Sequence, residues 1–100
     1  MIKSENSSAK CVVLTANPND HVFYVNADNV TIKSFTVTGA TGYTAGIYLY
    51  NSNNCGTENV NASNNYYGIY PRFSSNIIAK NTASNNYDGI RLTSSSNNII

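Results

Sequence analysis

The sequence has few charged side chains and no strongly basic or acidic character. Lys and Arg total 6, Asp and Glu total 5, and charged residues make up 11% of the 100 positions, less than half of the roughly 25% that is usual. With a net charge of +1, the chain offers no basic surface of the kind that attracts nucleic acid or an anionic membrane. We therefore expect neither of them as a partner.

Long apolar runs are also missing. No segment approaches the ~18 apolar residues of a membrane span, and the opening "MIKSENSSAK" lacks the apolar stretch of a signal peptide. The commonest polar residues are Asn and Ser, with 18 and 12 copies. Their side chains compete with the helical backbone for hydrogen bonds and favour turns. We expect an all-β chain with no helix and no membrane span.

What the sequence does contain is an internal repeat. "NASNNYYGIY" at residues 61–70 returns as "TASNNYDGIR" at residues 82–91. Aligning the repeats from His21, Gly46, Gly68 and Gly89 gives spacings of 25, 22 and 21 residues. Such a period indicates a solenoid, in which each repeat forms one coil that bonds to the coils above and below it. Stacked coils would bring like side chains together at ~4.8 Å intervals.

Apolar and aromatic positions alternate within each repeat, which is typical of β-strands. Every coil would place two aliphatic columns inward and two columns rich in Tyr and Arg outward. The inward columns would be Val22, Ile47, Ile69 and Ile90, and Tyr24, Leu49, Pro71 and Leu92. The outward columns would be Phe23, Tyr48, Tyr70 and Arg91, and Val25, Tyr50, Arg72 and Thr93.

A second short strand is predicted after an Asn column formed by Asn29, Asn54 and Asn76. "TVTGATGYTA" at residues 36–45 is predicted to be an inserted loop with Tyr43 exposed and positive φ at its glycines. The second strand would contribute further inward columns: Val30, Cys55, Ile77 and Ile99, and Ile32, Thr57 and Ala79, with Lys33, Glu58 and Lys80 facing water.

These "NN-x-Y-x-G-I-x-L" coils resemble the right-handed parallel β-helix repeats of carbohydrate-binding and sugar-hydrolase domains, periplasmic copper-binding NosD-like proteins and archaeal cell-surface proteins. The resemblance covers roughly residues 10–100 and implies a right-handed parallel β-helix of about four coils of ~22 residues. Residues 1–9 would form a polar segment or partial cap. Because "SSSNNII" stops in mid-pattern, we expect a fragment whose open end stacks on a second copy, pairs with a partner chain or continues into further repeats. The resemblance also implies a location in the cell envelope or outside the cell.

The favoured interpretation is a structural or display module that recognises polysaccharide or a protein surface. Tyrosine rings with nearby guanidinium groups are typical of binding surfaces. Plain packing between neighbouring strands would explain the same residues without any ligand. The candidate binding residues are Tyr48, Tyr70, Tyr50, Phe23 and Arg91.

A fragment of a polysaccharide lyase, hydrolase or epimerase is the alternative. Asp88, Arg91 and Arg72 are the candidate catalytic residues, since the lyases that the chain resembles combine calcium-binding carboxylates with a basic residue. One carboxylate is too few for a dedicated calcium site. Calcium is therefore expected as a cofactor only if the chain is part of such an enzyme.

No other metal or cofactor is expected. Copper would need clustered His, Met or Cys ligands, whereas His21 is the only histidine and stands in a column that is otherwise glycine. Cys11 and Cys55 would lie two coils apart, roughly 9 to 10 Å, which is too far for a disulfide. We expect both to be free thiols, with Cys55 buried as a small apolar side chain.

Overall fold

The computed structural model describes residues 2–3, 12–14, 17–79 and 81–95, and all regular elements among them are β-strands. They follow one another in groups of three, one group for each coil. The first two groups are β1 (Ile2–Lys3), β2 (Val12–Leu14) and β3 (Phe23–Val25), then β4 (Thr31–Lys33), β5 (Thr36–Thr38) and β6 (Ala45–Tyr50). The next two are β7 (Asn53–Glu58), β8 (Asn61–Ser63) and β9 (Tyr67–Arg72), then β10 (Ser75–Ala79), β11 (Thr82–Ser84) and β12 (Asp88–Ile90).

Each coil contributes one strand to each of three parallel sheets. Sheet A has the order β1-β4-β7-β10, sheet B the order β2-β5-β8-β11, and sheet C the order β3-β6-β9-β12. From the first strand of a sheet to its fourth, the chain makes three complete turns. The fold is therefore a parallel β-helix, as the repeat predicted, and the described residues include no helix.

Aliphatic side chains of successive coils lie above one another inside the helix. Ile47 pairs with Ile69 and Ile69 with Ile90 in sheet C, and Ile47 and Ile69 are fully buried. Val37 and Ala62 form the matching interior column of sheet B and are also fully buried. Each buried Ile contributes about 1.5 to 3 kcal/mol relative to an exposed one, so this column is a main source of stability.

The predicted alignment of the first coil is wrong by one residue. Phe23 pairs with Ile47 and Tyr24 with Tyr48, so their spacing is 24 residues and not 25. Phe23 therefore faces inward, where it packs against the core, and Val25 is buried while Tyr24 is 54% exposed. All the residues from Val22 to Val25 are apolar or aromatic, so alternation alone could not distinguish the two alignments.

The predicted inserted loop is shorter than residues 36–45. Thr36–Thr38 form β5, which pairs with β2 on one side and β8 on the other. Only the segment after β5 departs from the repeat. Tyr43 is 76% exposed, as predicted, but positive φ occurs at Gly39 and at Tyr43 itself, not at Gly42.

The Asn column and the strand after it are also displaced. Asn29, in the turn before β4, and Asn54, the second residue of β7, adopt left-handed conformations with φ of 63° and 57°. A register shift between β7 and β10 buries Asn76 and pairs Ile78, not Ala79, with Thr57. Ile99 and Lys80 lie outside the described residues.

Buried polar side chains connect one coil to the next at the corners. Asn65 accepts a hydrogen bond from the Ala40 N–H (3.0 Å) and donates one to the Val37 carbonyl (3.1 Å). Asn86, one coil later, accepts from the Asn65 N–H (2.9 Å) and donates to the Ala62 carbonyl (2.9 Å). These amides tie the backbone of one coil to that of the next beside a corner. A serine ladder does the same at another corner: Ser52, Ser74 and Ser95.

Candidate binding surface

The eight tyrosines of the chain form one connected array of rings. They occupy the outer face of sheet C and the corner that precedes it, and His21 joins them at one side. We call this surface the tyrosine face. Its members are Tyr24, Tyr43, Tyr48, Tyr50, Tyr66, Tyr67, Tyr70 and Tyr87.

Tyr48 lies at the centre of the part built on sheet C. Its ring centroid is 5.5 Å from that of Tyr24, 5.8 Å from Tyr50 and 5.2 Å from Tyr70. His21 stacks on it at 4.3 Å. These neighbours leave Tyr48 only 9% exposed. Tyr48 therefore lies at the bottom of the tyrosine face, and the rings around it are the parts that a ligand can reach. The strands position these rings because Tyr24, Tyr48 and Tyr70 share one register.

A second ladder of three tyrosines runs along the corner before sheet C. Tyr66 stacks on Tyr87 at 4.6 Å with nearly parallel rings and contacts Tyr43 at 4.6 Å. Tyr67 connects this ladder to Tyr70, with centroid distances of 4.7 Å to Tyr66 and 4.9 Å to Tyr70. Burial against these neighbours raises the pKa of Tyr66, so its phenol stays neutral.

The predicted binding residues are largely, but not all, on this surface. Tyr48, Tyr50 and Tyr70 belong to it, and Arg91 borders it. Phe23 does not, since its ring points inward and contacts Phe35 at 5.5 Å. The residues that the sequence reasoning missed are Tyr24, Tyr43, Tyr66, Tyr67 and Tyr87.

Two arginines lie among the rings. Arg91 is 5.1 Å from the Tyr67 ring centroid and 5.6 Å from that of Tyr70, and it forms an ion pair with Asp88 at 3.1 Å. Arg72 lies 5.1 Å from the Phe73 centroid. A hydrogen bond to Tyr48 is the main cause that raises the pKa of Arg72, and one to Tyr70 raises that of Arg91. Both guanidinium groups therefore remain charged.

The candidate catalytic residues do not assemble an acid–base pair. Asp88 contacts Arg91 directly, whereas Arg72 lies over the Phe73 ring and forms no ion pair with a described carboxylate. A raised pKa makes Arg91 a poor proton acceptor, and hydrolysis of a glycosidic bond ordinarily uses two carboxyl groups across the bond. Among the described carboxylates, Glu58 pairs instead with Lys33 (3.7 Å) on sheet A.

Fold and surface together define a parallel β-helix that displays an aromatic ladder. The chain belongs to the NosD family, because the family model described as "Periplasmic copper-binding protein (NosD)" matches residues 2–100. Membership is consistent with the expected location in the cell envelope or outside the cell. Searches of curated proteins and of solved structures gave no significant match. Within the described ranges, no helix is long and apolar enough to span a membrane.

The described residues do not fit the copper site that the family description implies. They contain no cluster of three or more His, Cys, Asp or Glu side chains. Nδ1 of His21 accepts a hydrogen bond from the Ala45 N–H at 2.9 Å, so one of its two ring nitrogens is already engaged. This places His21 beside Ala45 and corrects its assignment to the glycine column. Cys55 is a free, buried thiol that donates to the Ala27 carbonyl; Cys11 lies outside the described residues.

Proposed function

We propose that this chain is a recognition module of the cell envelope that binds polysaccharide on its tyrosine face. The observation that carries the proposal is the gathering of all eight tyrosines into one array on one side of the solenoid. Interior packing does not require this arrangement, because the described core cluster consists of aliphatic side chains, Cys55 and the rings of Phe23 and Phe35, with no tyrosine.

The chemistry of the surface suits a sugar. Tyrosine has an apolar ring that packs against the C–H groups of a sugar and a hydroxyl that bonds to the sugar's hydroxyls. Several rings remain open to such contact: Tyr24 is 54% exposed, Tyr43 76% and Tyr87 73%. Their neighbours hold them in place, so little side-chain entropy is lost on binding. A protein partner would use the same anchors, and the experiment below distinguishes the two.

Glycan-array binding followed by calorimetry tests the proposal. We expect Tyr24→Ala and Tyr50→Ala each to weaken binding to the captured polysaccharide by about tenfold, as is usual for aromatic anchors. Leu14→Ala is the matched control, because Leu14 is 67% exposed and lies on sheet B. Circular dichroism verifies that each variant is folded. A native chain that binds no glycan would refute the proposal. If the native chain instead binds a protein, and both variants lose that binding, the tyrosine face is a protein-binding surface.

The enzyme alternative makes a different prediction. A lyase would release unsaturated sugar products from uronate polymers, and these products absorb ultraviolet light. The assay is run both with and without added calcium. We expect no such product, because the one carboxylate beside Arg91 is occupied by that guanidinium at 3.1 Å. Steady product release that Asp88→Asn abolishes would support the enzyme.

End-to-end self-association remains part of the proposal. Strands of two copies would pair in the way that strands of successive coils pair within each of the three sheets. Exposed strand edges pair readily with another chain. Sedimentation velocity over a wide concentration range would show a growing species if coils of two copies stack, and a constant one if they do not.

A further inference from the structure

The two arginines of the tyrosine face differ in how their charges are compensated. Arg91 donates to Asp88 at 3.1 Å, so the pair has no net charge. Arg72 has no carboxylate within ion-pair distance in the described part of the chain. The positive charge that this part of the surface offers to a ligand therefore belongs mainly to Arg72.

Contacts with aromatic neighbours hold Arg72 in position. Its guanidinium lies over the Phe73 ring at 5.1 Å, and its backbone pairs with that of Tyr50 in sheet C. Arg72 itself is exposed at the end of β9. A guanidinium has five donors in a planar fork that matches a carboxylate or sulfate. Since the fork is already oriented, an incoming anion would not have to immobilise a long, flexible side chain.

The described carboxylates do not neutralise the charge of Arg72, because each lies elsewhere or has another partner. Lys33 and Glu58 pair with each other on sheet A. Asp28 accepts a hydrogen bond from the Asn53 N–H at 2.8 Å, and Asp20 lies beside His21, where it affects the pKa of that residue. None of these carboxylates forms an ion pair with Arg72.

We infer that the ligand of the tyrosine face is an acidic polysaccharide, whose anionic group is bound by Arg72 while its sugar rings contact the neighbouring tyrosines. The inference rests on the proposed glycan-binding function and adds the charge of the ligand. Binding then weakens as salt increases, because dissolved ions screen the attraction between exposed opposite charges. A neutral glycan held by ring contacts alone would show little salt dependence.

Matched pairs of polymers test the inference directly. Polygalacturonate and its fully methyl-esterified form have the same backbone but differ in charge, and dextran sulfate with dextran forms a second pair in which sulfate supplies the charge. We expect the acidic member of at least one pair to bind at least tenfold more tightly, which corresponds to about 1.4 kcal/mol. The pair that shows the difference identifies carboxylate or sulfate as the recognised group.

Two substitutions that each remove one positive charge distinguish binding of the anion by Arg72 from a general attraction of the polymer to the whole chain. Arg72→Gln and Lys33→Gln each change the net charge from +1 to 0, but only Arg72 lies on the tyrosine face. We expect Arg72→Gln to remove about tenfold of affinity for the acidic polymer and Lys33→Gln to change it less than twofold. Arg72→Lys keeps the charge but lacks the fork, and it should recover only part of the loss.

Asp88→Asn provides a gain-of-function test. The substitution frees Arg91 from its ion pair, so affinity for the acidic polymer should rise severalfold while binding of the neutral polymer stays constant. Equal binding of the acidic and neutral members of both pairs would overturn the inference and leave glycan binding intact. Absence of binding to all four polymers, with no signal on the glycan array, would overturn both.

Discussion

At the scale of single residues, the abundance of Asn is explained by two different tasks. Some Asn residues occupy left-handed turns, as Asn51, Asn64 and Asn85 do with φ of 49° to 55°. Others, such as Asn65 and Asn86, point inward and hydrogen-bond the backbone of the preceding coil. Asn suits both because it tolerates positive φ and has both a donor and an acceptor. Removing an inward amide should therefore cost far more than removing one at the surface.

Asn65→Ala tests the contribution of the inward amides. Asn65 is 4% exposed, and its replacement by Ala removes the hydrogen bonds of its side chain to the buried Ala40 N–H and to the Val37 carbonyl. We expect the free energy of unfolding to fall by about 2 to 5 kcal/mol, since each unsatisfied buried group costs about 1 to 3 kcal/mol. Urea denaturation measures the change. Asn26→Ala, at an exposed position, is the control and should stay within about 0.5 kcal/mol.

His21 should make stability depend on pH. Burial lowers the pKa of His21, and protonation of Nδ1 would remove its hydrogen bond with the Ala45 N–H. The unfolded chain then binds a proton more readily than the folded chain. Stability is complete above the unfolded pKa of about 6.5 and decreases as the pH falls below it.

The His21→Asn variant isolates this effect. An Asn side-chain oxygen can accept the same hydrogen bond but does not titrate. Thermal unfolding between pH 7.5 and about 5 should show a declining midpoint in the native chain and a flatter profile in the variant. Identical slopes for both would assign the pH dependence to other groups.

At the scale of the strands, close approach between coils explains a glycine in β9. A Cβ added at Gly68 would collide with the Gly89 carbonyl of the next coil and lie 2.9 Å from the Asn86 side chain. Gly89 itself has room, because the nearest atom to an added Cβ is the Ala83 methyl group at 3.5 Å. The same repeated glycine thus has different importance in the two strands.

Gly68→Ala and Gly89→Ala form a matched pair. We expect Gly68→Ala to destabilise the fold by about 1 to 3 kcal/mol, as overpacking usually does, because a strand has to move away from its neighbour. Gly89→Ala should remain within about 0.5 kcal/mol of the native chain. Equal losses in the two variants, measured by urea denaturation, would show that the spacing of β9 and β12 is not the cause.

Most of the strand pattern could be predicted from the sequence, and the errors have local causes. From Gly46 onward, "GIY" recurs as Gly46–Tyr48 and Gly68–Tyr70 and fixes the register of β6 and β9. The first coil lacks that glycine, and its four consecutive apolar or aromatic residues fit two registers equally well. The shift between β7 and β10 arises where Asn76, a polar residue, turns inward, which apolar alternation does not indicate.

At the scale of the whole molecule, the three sheets present different outer surfaces. Sheet C and its preceding corner display tyrosine, whereas β4 and β7 of sheet A display the Lys33–Glu58 pair. The outer positions of β5 and β8 in sheet B are polar: Thr36, Thr38, Asn61 and Ser63. A ligand that prefers aromatic rings therefore has one face to bind.

The candidate site could be predicted only in part, because part of it depends on how the corners of the whole molecule fold. The central column was found from the alternation within single strands. The corner ladder has a clear signal in the sequence, since Tyr66 and Tyr87 follow the same "SNN" triplet in the two repeats. Its position beside sheet C depends on how the corner folds, and alternation within a strand gives no information about that.

Nuclear magnetic resonance of selectively labelled tyrosine rings tests the central claim most directly. During titration with the polysaccharide captured on the array, we predict that the ring signals of exposed members such as Tyr24 and Tyr87 shift together and saturably. A methyl signal of Leu14, on sheet B, should remain unchanged. Shifts confined to sheet B, or tyrosine signals that do not respond while the glycan binds, would contradict the account.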